Sequence, residues 1–261
     1  MTAPYEELDG LVRVYPATTP NGTGLVWAHG GGFSHGDLDM PESDWVARQL
    51  AARGTTVVSV DYRLAPEHPF PAASDDMLTA WQWARANAEA FGVRLLAIGG
   101  TSAGGNLAAG AGLRLAGTDE APALVLLAYP TLMAVQPAPD AELRAALDAD
   151  PSADRFPPAS VLAMYERYLG GTVDDAPLAA IPGNATASDL GDYPPTLILN
   201  GDADELRVSG EHFASTLAAA GRDVEVLTEP GTHHGHLNRP DEAPASRSIE
   251  RMAARISALL A

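Results

Sequence analysis

The sequence predicts one α/β domain with a mostly parallel central sheet and helices on both faces. Short runs rich in apolar and β-branched residues alternate along the chain with longer segments of helical pattern, the order expected of a parallel sheet with crossover helices. The strand runs are almost continuously apolar, as expected when both faces of a sheet are covered. With 261 residues, 46% of them hydrophobic, the chain can bury one large core, and a second full domain is not expected.

Seven runs are predicted as strands because each is short, apolar and followed by a turn signal. They are "LVRVYP" (11–16), "GLVWAH" (24–29), "TTVVSVDY" (55–62), "RLLAIGG" (94–100), "ALVLLAYP" (123–130), "TLILNG" (196–201) and "DVEVLTEP" (223–230). Five segments of helical pattern lie between and after them. They are residues 42–54, 75–92, 103–117, 209–221 and 245–261.

The segment 131–195 interrupts this alternation. It contains nine of the 21 prolines, no obvious core strand and at most two helical patterns, of which "ASVLAMYERYLGG" (159–171) is the clearer. A disordered linker is disfavoured because "VLAMYERYL" has apolar residues at helical spacing, and structureless loops of this length are uncommon unless they are functional. We expect a single domain over residues 1–261, with 131–195 inserted as a cap or lid over one edge of the sheet.

The composition excludes several chemistries. All 16 basic residues are arginines and there is no cysteine, so lysine Schiff bases, P-loop lysines, thiol nucleophiles and cysteine-bound zinc are ruled out. A net charge of −18 disfavours nucleic acid and anionic membranes as partners. Since the N-terminus also lacks the pattern of a signal peptide, we expect a cytoplasmic protein that binds a small molecule.

A candidate nucleophile lies in "GGTSAGG", which contains Gly-x-Ser-x-Gly over residues 100–104 with Ser102 at its centre. Taken alone, the motif could be an ordinary turn. A strand is predicted directly before it and a helix directly after it, which is the setting of a nucleophile elbow. At the N-terminus of a helix, unpaired N–H groups favour developing negative charge. We therefore predict that Ser102 is a nucleophile.

A serine nucleophile needs a histidine base and an acid that orients the base, and both are expected in loops after later strands. The loop after "TLILNG" offers Asp202, Asp204 and Glu205, of which Asp204 is favoured because it lies further into the loop. The loop after "DVEVLTEP" offers three histidines, of which His234 is favoured because a glycine follows it. The other two are His233 and His236. A metal site is disfavoured, since no cysteine or helical histidine pair accompanies them.

The motif "HGGGF" (29–33) follows a predicted strand. Backbone N–H groups of such a loop can bind a substrate carbonyl oxygen. We predict an oxyanion hole formed by Gly30, Gly31 and Gly32 together with the N–H of Ala103.

These motifs, with "DYRLAPEHPFPAASDD" (61–76), resemble those of the hormone-sensitive-lipase-like (bacterial family IV) esterases of the α/β-hydrolase superfamily, over roughly residues 10–130 and 195–260. The resemblance implies an α/β-hydrolase fold and a carboxylic ester hydrolase that works through an acyl-enzyme. The implied triad is Ser102, His234 and Asp204, with no metal and no cofactor. Residues Arg63, Glu67, Pro69 and Asp75 are implied to be scaffold.

Three departures from the family pattern shape our expectations. Thr101 occupies a position where the family usually has aspartate, and His236 one where it usually has an aromatic residue that walls the acyl pocket. Only 28 residues precede His29, where the family commonly has several dozen that form part of the cap. We therefore expect a reduced cap and an open pocket that takes short-chain acyl esters, unless a second copy of the chain covers the gap as a homo-oligomer.

Other functions stay open at this point. An acetyl esterase, lactonase or amidase acting on a carbohydrate or natural product would use the same triad. A non-catalytic ligand-binding protein could also share the fold. The presence of Ser102, Asp204 and His234 together argues against the latter.

Overall fold

The computed structural model describes residues 3–153 and 156–261 and contains one eight-stranded sheet. Its strands are β1 (Tyr5–Glu7), β2 (Val12–Tyr15), β3 (Thr23–Ala28), β4 (Thr55–Val60), β5 (Leu95–Thr101), β6 (Val125–Ala128), β7 (Thr196–Ala203) and β8 (Val224–His233). The spatial order is β1-β2-β4-β3-β5-β6-β7-β8. The two antiparallel pairings, β1 with β2 and β2 with β4, are at one edge, and the remaining strands are parallel. The predicted mostly parallel sheet is confirmed.

Helices cover both faces of the sheet, as predicted. They are α1 (Asp44–Ala52), α2 (Ala72–Ala86), α3 (Ser102–Leu115), α4 (Ala141–Ala149), α5 (Pro158–Leu169), α6 (Arg207–Ala219) and α7 (Ala243–Ser257). On one face, α1 and α7 bury residues such as Leu50 and Met252 in one apolar core. On the other face, α2, α3 and α6 bury residues such as Trp81, Leu107 and Phe213 in a second core.

Strand β1 and helix α4 were given no residue range from the sequence. Strand β1 is exposed and polar, so it lacks the apolar pattern of a core strand. Helix α4 begins where Asp140 accepts a hydrogen bond from the N–H of Leu143 at 2.8 Å, a side-chain cap that stabilises a first helical turn. Its buried Leu143 and Leu147 belong to the same apolar cluster as Val208 of α6, so tertiary contacts support this short helix.

The segment 131–195 packs closely on the domain. Helix α5 starts at a proline and ends at Leu169, and the following Gly170, with φ of +68°, forms a left-handed cap. Its Tyr165 and Tyr168 are buried in the core on the α3 side of the sheet. The ring of Tyr168 stacks on that of Phe33 with centroids 3.9 Å apart. Helix α5 therefore packs against the glycine loop at residues 29–33.

Two of the residues implied to be scaffold, Arg63 and Asp75, form ion pairs around α2. Arg63 binds Asp76 at 2.8 Å, and the same carboxylate accepts the Arg63 main-chain N–H at 2.9 Å. Asp75 pairs with Arg114 of α3, also at 2.8 Å. These contacts tie the segment after β4 to α2, and α2 to α3.

The parallel arrangement brings four functional loops to one edge of the sheet. The carboxyl ends of β3, β5, β7 and β8 point the same way, because the strands between them are parallel. The glycine loop follows β3, Ser102 follows β5, Asp204 follows β7 and His234 follows β8. Sites in open α/β sheets lie at this carboxyl edge. No helix in residues 3–153 and 156–261 has both the length and the apolar character to cross a membrane.

Candidate active site

Ser102 occupies a sharp turn between β5 and α3. Its φ is +48°, in the left-handed region that serine rarely adopts. A Cβ atom at Gly104 would collide with the backbone carbonyls of Ala28 and His29, and one at Gly100 with the backbone of Gly104. The two glycines therefore allow the helix to begin directly against the strands, and Ser102 lies at its first turn.

Three distant residues form a continuous line of hydrogen bonds. The Ser102 Oγ lies 2.9 Å from His234 Nε2, and His234 Nδ1 lies 2.8 Å from Asp204 Oδ2. Because a carboxylate only accepts, Nδ1–H donates to Asp204 and Nε2 is left to accept from the serine hydroxyl. The other Asp204 oxygen accepts the N–H of Leu206 at 2.9 Å, so the buried carboxylate is fixed at both oxygens.

The neighbouring acids of the β7 loop have other contacts. Asp202 accepts the N–H of Gly231 at 2.9 Å and lies near the guanidinium of Arg207. Glu205 accepts the N–H of Phe156 at 3.0 Å. Of the three acids considered from the sequence, only Asp204 contacts His234 among the hydrogen bonds and ion pairs of the described residues.

The three histidines of the β8 loop also separate by their contacts. His233 forms an ion pair with Asp150 at 2.8 Å. His236 is buried, and its Nε2 lies 2.8 Å from the Ser248 hydroxyl. Only His234 faces Ser102. Across residues 3–153 and 156–261, no group of three or more histidine, aspartate or glutamate side chains is arranged to hold a metal ion.

Two aromatic rings hold the His234 imidazole in place. The rings of Tyr129 and Phe156 meet it edge-on, with centroids 5.0 Å and 4.6 Å away. The Phe156 contact comes from the inserted segment, and Tyr129 directly follows β6. Neither residue was predicted, since no sequence motif marks a residue that packs on a catalytic ring.

A buried network holds the glycine loop. The His29 Nδ1 lies 2.7 Å from the carbonyl oxygen of Gly30. The Tyr62 hydroxyl donates to the carbonyls of His29 and Gly30, both at 3.0 Å, and its ring stacks on the His29 imidazole at 4.4 Å. Burial lowers the pKa of His29, which favours the neutral ring with its proton on Nδ1. The His29 ring and the Tyr62 hydroxyl therefore fix the backbone of the glycine loop.

The structure corrects one member of the predicted oxyanion hole. The N–H of Gly30 donates to the buried carboxylate of Glu42 at 2.7 Å, so it is not available to a substrate oxygen. The N–H groups of Gly31 and Gly32 have no acceptor in the described part of the chain. The N–H of Ala103 belongs to the first turn of α3, where no intrahelical acceptor exists. Gly31, Gly32 and Ala103 remain as candidate donors.

A cavity of about 620 Å³ opens beside these groups. Ser102, His234, Gly31 and Gly32 line it at one end. Apolar wall residues are Met40, Phe156 and Met164, and polar ones are Ser34, His35, Glu42, Arg167, Asn238 and Arg239. The cavity therefore offers both apolar and polar surface to a substrate.

Two departures from the family pattern have clear local outcomes. His236 does not line the cavity, so it forms no wall of it, and the aromatic residue in the lining is Phe156. The hydroxyl of Thr101 is buried, with no hydrogen-bond partner among the described residues. Neither change disturbs the contacts of Ser102 with His234.

The chain was compared with known proteins. Residues 25–238 match a family model described as alpha/beta hydrolase fold. The chain is 40% identical over 255 residues to the carboxylesterase NlhH of Mycobacterium tuberculosis, covering 94% of this chain and 77% of that protein. It is 34% identical to the ethyl acetate hydrolase of Pseudomonas putida, covering 87% and 71%.

A solved structure of an esterase has the same fold. The crystal structure of the esterase LipW from Mycobacterium marinum superposes with a TM-score of 0.80 at 30% identity, covering 99% of this chain and 81% of that one. The family model, the sequence relatives and the solved structure all indicate an esterase with the α/β-hydrolase fold. The chain belongs to the hormone-sensitive-lipase-like esterases of the α/β-hydrolase superfamily.

Proposed function

We propose that this protein hydrolyses carboxylic esters of short-chain acids through an acyl-enzyme, with Ser102 as nucleophile, His234 as base and Asp204 as the acid that orients the base. The observation that carries the proposal is the unbroken line of hydrogen bonds from Asp204 through His234 to Ser102, at 2.8 Å and 2.9 Å. A base within this distance can take the serine proton directly. Its relatives are carboxylesterases by name.

In the first half of the reaction, Ser102 attacks the ester carbonyl while its proton passes to His234 Nε2. The carbonyl oxygen becomes an oxyanion, which accepts hydrogen bonds from the N–H groups of Ala103 and of Gly31 and Gly32. Asp204 stabilises the imidazolium that forms. The tetrahedral intermediate then collapses, His234 donates its proton to the leaving alcohol, and the acyl group stays on Ser102.

In the second half, water attacks the acyl-enzyme while His234 accepts one of its protons. A second tetrahedral oxyanion forms in the same hole, and its collapse breaks the bond between the acyl carbon and Ser102 Oγ. His234 returns the proton to the serine. The carboxylic acid leaves and the free enzyme is regenerated.

The preference for short acyl chains is supported by the shape of the cavity. Met164 of α5 faces the glycine loop, since a Cβ atom at Gly32 would lie 3.2 Å from its sulfur. The guanidinium of Arg167 also lines the cavity, and a long alkyl chain packed against it would shield this charged group from water. The similar ethyl acetate hydrolase acts on a two-carbon acyl group. We further propose that segment 131–195 is the cap, because its Phe156, Met164 and Arg167 line the cavity.

The test is a panel of aryl esters from acetate to dodecanoate, assayed with the wild type and with two serine variants. Ser102→Ala is expected to lower kcat by a factor of about 10⁴ or more, because the nucleophile is lost. The matched control is Ser248→Ala, which removes a buried serine hydroxyl bonded to a different histidine, His236. This control should keep wild-type turnover.

Intact turnover in the Ser102→Ala variant would refute the mechanism. A kcat/KM that rises from acetate towards dodecanoate would refute the short-chain preference and leave the mechanism standing.

A further inference from the structure

Glu42 is a buried carboxylate in the wall of the active-site cavity. Glu42 is only 2% exposed, yet it lines the same cavity as Ser102 and His234. No arginine or histidine forms an ion pair with it in residues 3–153 and 156–261. Burying a carboxylate without a countercharge is costly unless several hydrogen bonds satisfy it. The hydrogen bonds of Glu42 therefore have to account for its burial.

Each carboxylate oxygen accepts one strong hydrogen bond. Oε1 accepts the N–H of Gly30 at 2.7 Å, and Oε2 accepts the hydroxyl of Tyr129 at 2.8 Å. The fit at Gly30 is tight, because a Cβ atom there would lie 2.6 Å from Oε1. Hydrogen bonds to a charged acceptor are about twice as strong as neutral ones.

The main chain of Glu42 is also held. Its N–H donates to the side-chain oxygen of Asn238 at 3.1 Å, and its carbonyl accepts the indole N–H of Trp27 at 2.8 Å. Asn238 lies in the loop that follows His234, and Trp27 lies in β3. Glu42 thus connects the glycine loop, the end of β6 and the histidine loop.

We propose that Glu42 is a positioning residue that sets which N–H groups of the glycine loop face the substrate. By holding the N–H of Gly30, it orients the next two peptide units so that Gly31 and Gly32 present theirs to the cavity. Through Tyr129, whose ring packs on His234, the same carboxylate links the oxyanion donors to the base. This inference rests on the esterase mechanism proposed above.

Substitution can separate the shape of Glu42 from its charge. Glutamine keeps one oxygen that can accept the Gly30 N–H, and its amide can donate to the Tyr129 hydroxyl with the bond reversed. Glu42→Gln is therefore the conservative variant. Glu42→Ala removes the hydrogen bonds to the Gly30 N–H and to the Tyr129 hydroxyl, so the peptide group that carries the Gly30 N–H can reorient.

The experiment measures kcat and KM on an aryl acetate for Glu42→Ala, Glu42→Gln and Tyr129→Phe. The matched control for the last is Tyr193→Phe, which removes another buried tyrosine hydroxyl, one that donates to the carbonyl of Ala109 at 3.0 Å. An aryl trifluoromethyl ketone serves as a second probe, because its adduct with Ser102 carries an oxyanion in the hole.

We expect Glu42→Ala to lower kcat by about 10²-fold with KM nearly unchanged, the loss typical of one oxyanion donor. The inhibition constant of the ketone should rise by the same factor. Glu42→Gln should recover most of the activity, Tyr129→Phe should lose about 3- to 10-fold in kcat, and Tyr193→Phe should match the wild type in kcat.

Wild-type kcat in Glu42→Ala, or a loss of kcat without weaker binding of the ketone, overturns the proposal. If Glu42→Ala does not fold, Glu42→Gln and Tyr129→Phe decide: equal kcat in Tyr129→Phe and Tyr193→Phe overturns it. Ser102→Ala is assayed alongside. Activity in Ser102→Ala contradicts the esterase mechanism, whereas an inactive Ser102→Ala beside a fully active Glu42→Ala contradicts the Glu42 proposal alone.

Discussion

Two buried serine–histidine pairs of nearly equal geometry occur in the part of the chain that the structure describes. In one, Ser102 Oγ lies 2.9 Å from His234 Nε2, and in the other, Ser248 Oγ lies 2.8 Å from His236 Nε2. The two histidines are separated by one residue, and both rings pack edge-on against the same tyrosine, Tyr129, with centroids 5.0 Å and 5.1 Å away. The serine–histidine distance alone therefore does not distinguish a nucleophile from a structural hydroxyl.

The surroundings of the two pairs differ in three ways. Asp204 binds His234, whereas no carboxylate is bonded to His236 in the described part of the chain. Ser102 and His234 line the cavity, and Ser248 and His236 do not. Ser102 also faces the glycine loop and the first turn of α3. The second pair therefore lacks a carboxylate on its histidine, access to the cavity, and nearby N–H groups that could bind an oxyanion.

The largest effect is expected from making the first pair resemble the second. Asp204→Asn keeps the shape of the acid but removes its charge, so the imidazole loses the tautomer and the stabilisation it needs. By analogy with serine proteases, we expect kcat to fall by about 10⁴-fold. The measurement is steady-state turnover of an aryl acetate across the pH range.

Asp202→Asn is the control for this substitution, because Asp202 lies in the same loop but binds Gly231 and Arg207. Equal losses in the two variants would mean that the loop as a whole, and not the Asp204 carboxylate, supports activity.

A smaller effect is expected from disturbing the donors that only Ser102 faces. Gly31 has φ of +106°, and a Cβ atom there would collide with the backbone carbonyl of His35. Gly31→Ala must therefore shift the loop, and we expect kcat to fall by about 10²- to 10³-fold. Gly10→Ala is the control, since Gly10 has a similar φ of +92° but open space around it. It should lose some stability and no turnover, and full turnover in Gly31→Ala would exclude this loop from the oxyanion hole.

The smallest effect on turnover is expected at the second pair, where the consequence is stability at low pH. Burial lowers the pKa of His236 from 6.5 to about 4. Between these values the unfolded chain binds a proton that the folded chain does not, so acidification favours unfolding. From pH 7.5 to 4.5, His236 should lower the free energy of unfolding by about 2–3 kcal/mol.

His236→Phe should remove this share of the acid sensitivity, as measured by urea unfolding at several pH values. His29 contributes in the same direction, because its pKa is also lowered by burial. His236→Phe should therefore keep part of the pH dependence of the free energy of unfolding. The exposed His212 provides the control, and His212→Asn should unfold as the wild type does. An unchanged pH slope in His236→Phe would show that His236 does not titrate as its burial implies.

The sequence predicted the sheet, its helices and the line from Ser102 to Asp204, because these depend on local patterns and on the order of motifs along the chain. It could also rank Asp204 above Asp202, and His234 above His236, although each pair lies within one loop. What it could not predict were contacts between distant segments. Glu42 lies in a run, "DMPESD" (39–44), that looks like any polar turn before a helix.

The same limit explains the correction at Gly30. Three adjacent glycines give equal sequence signals, and only the structure shows that the N–H of Gly30 is taken by a side chain twelve residues away, that of Glu42. Helix α4 was missed because its stability comes from packing on Val208 of α6 as well as from its own pattern. Local motifs therefore predicted which side chains meet at the candidate site, and tertiary packing decided how they are held.

The positive φ of Ser102 has a practical consequence for laboratory evolution. A serine in the left-handed region costs about 1 kcal/mol or more, a cost that glycine does not have. Ser102→Gly would therefore relieve the backbone while removing the proposed nucleophile. A library screened for heat resistance alone would accumulate inactive molecules at this position. Heat-stable, active variants require that turnover be scored in every round of screening.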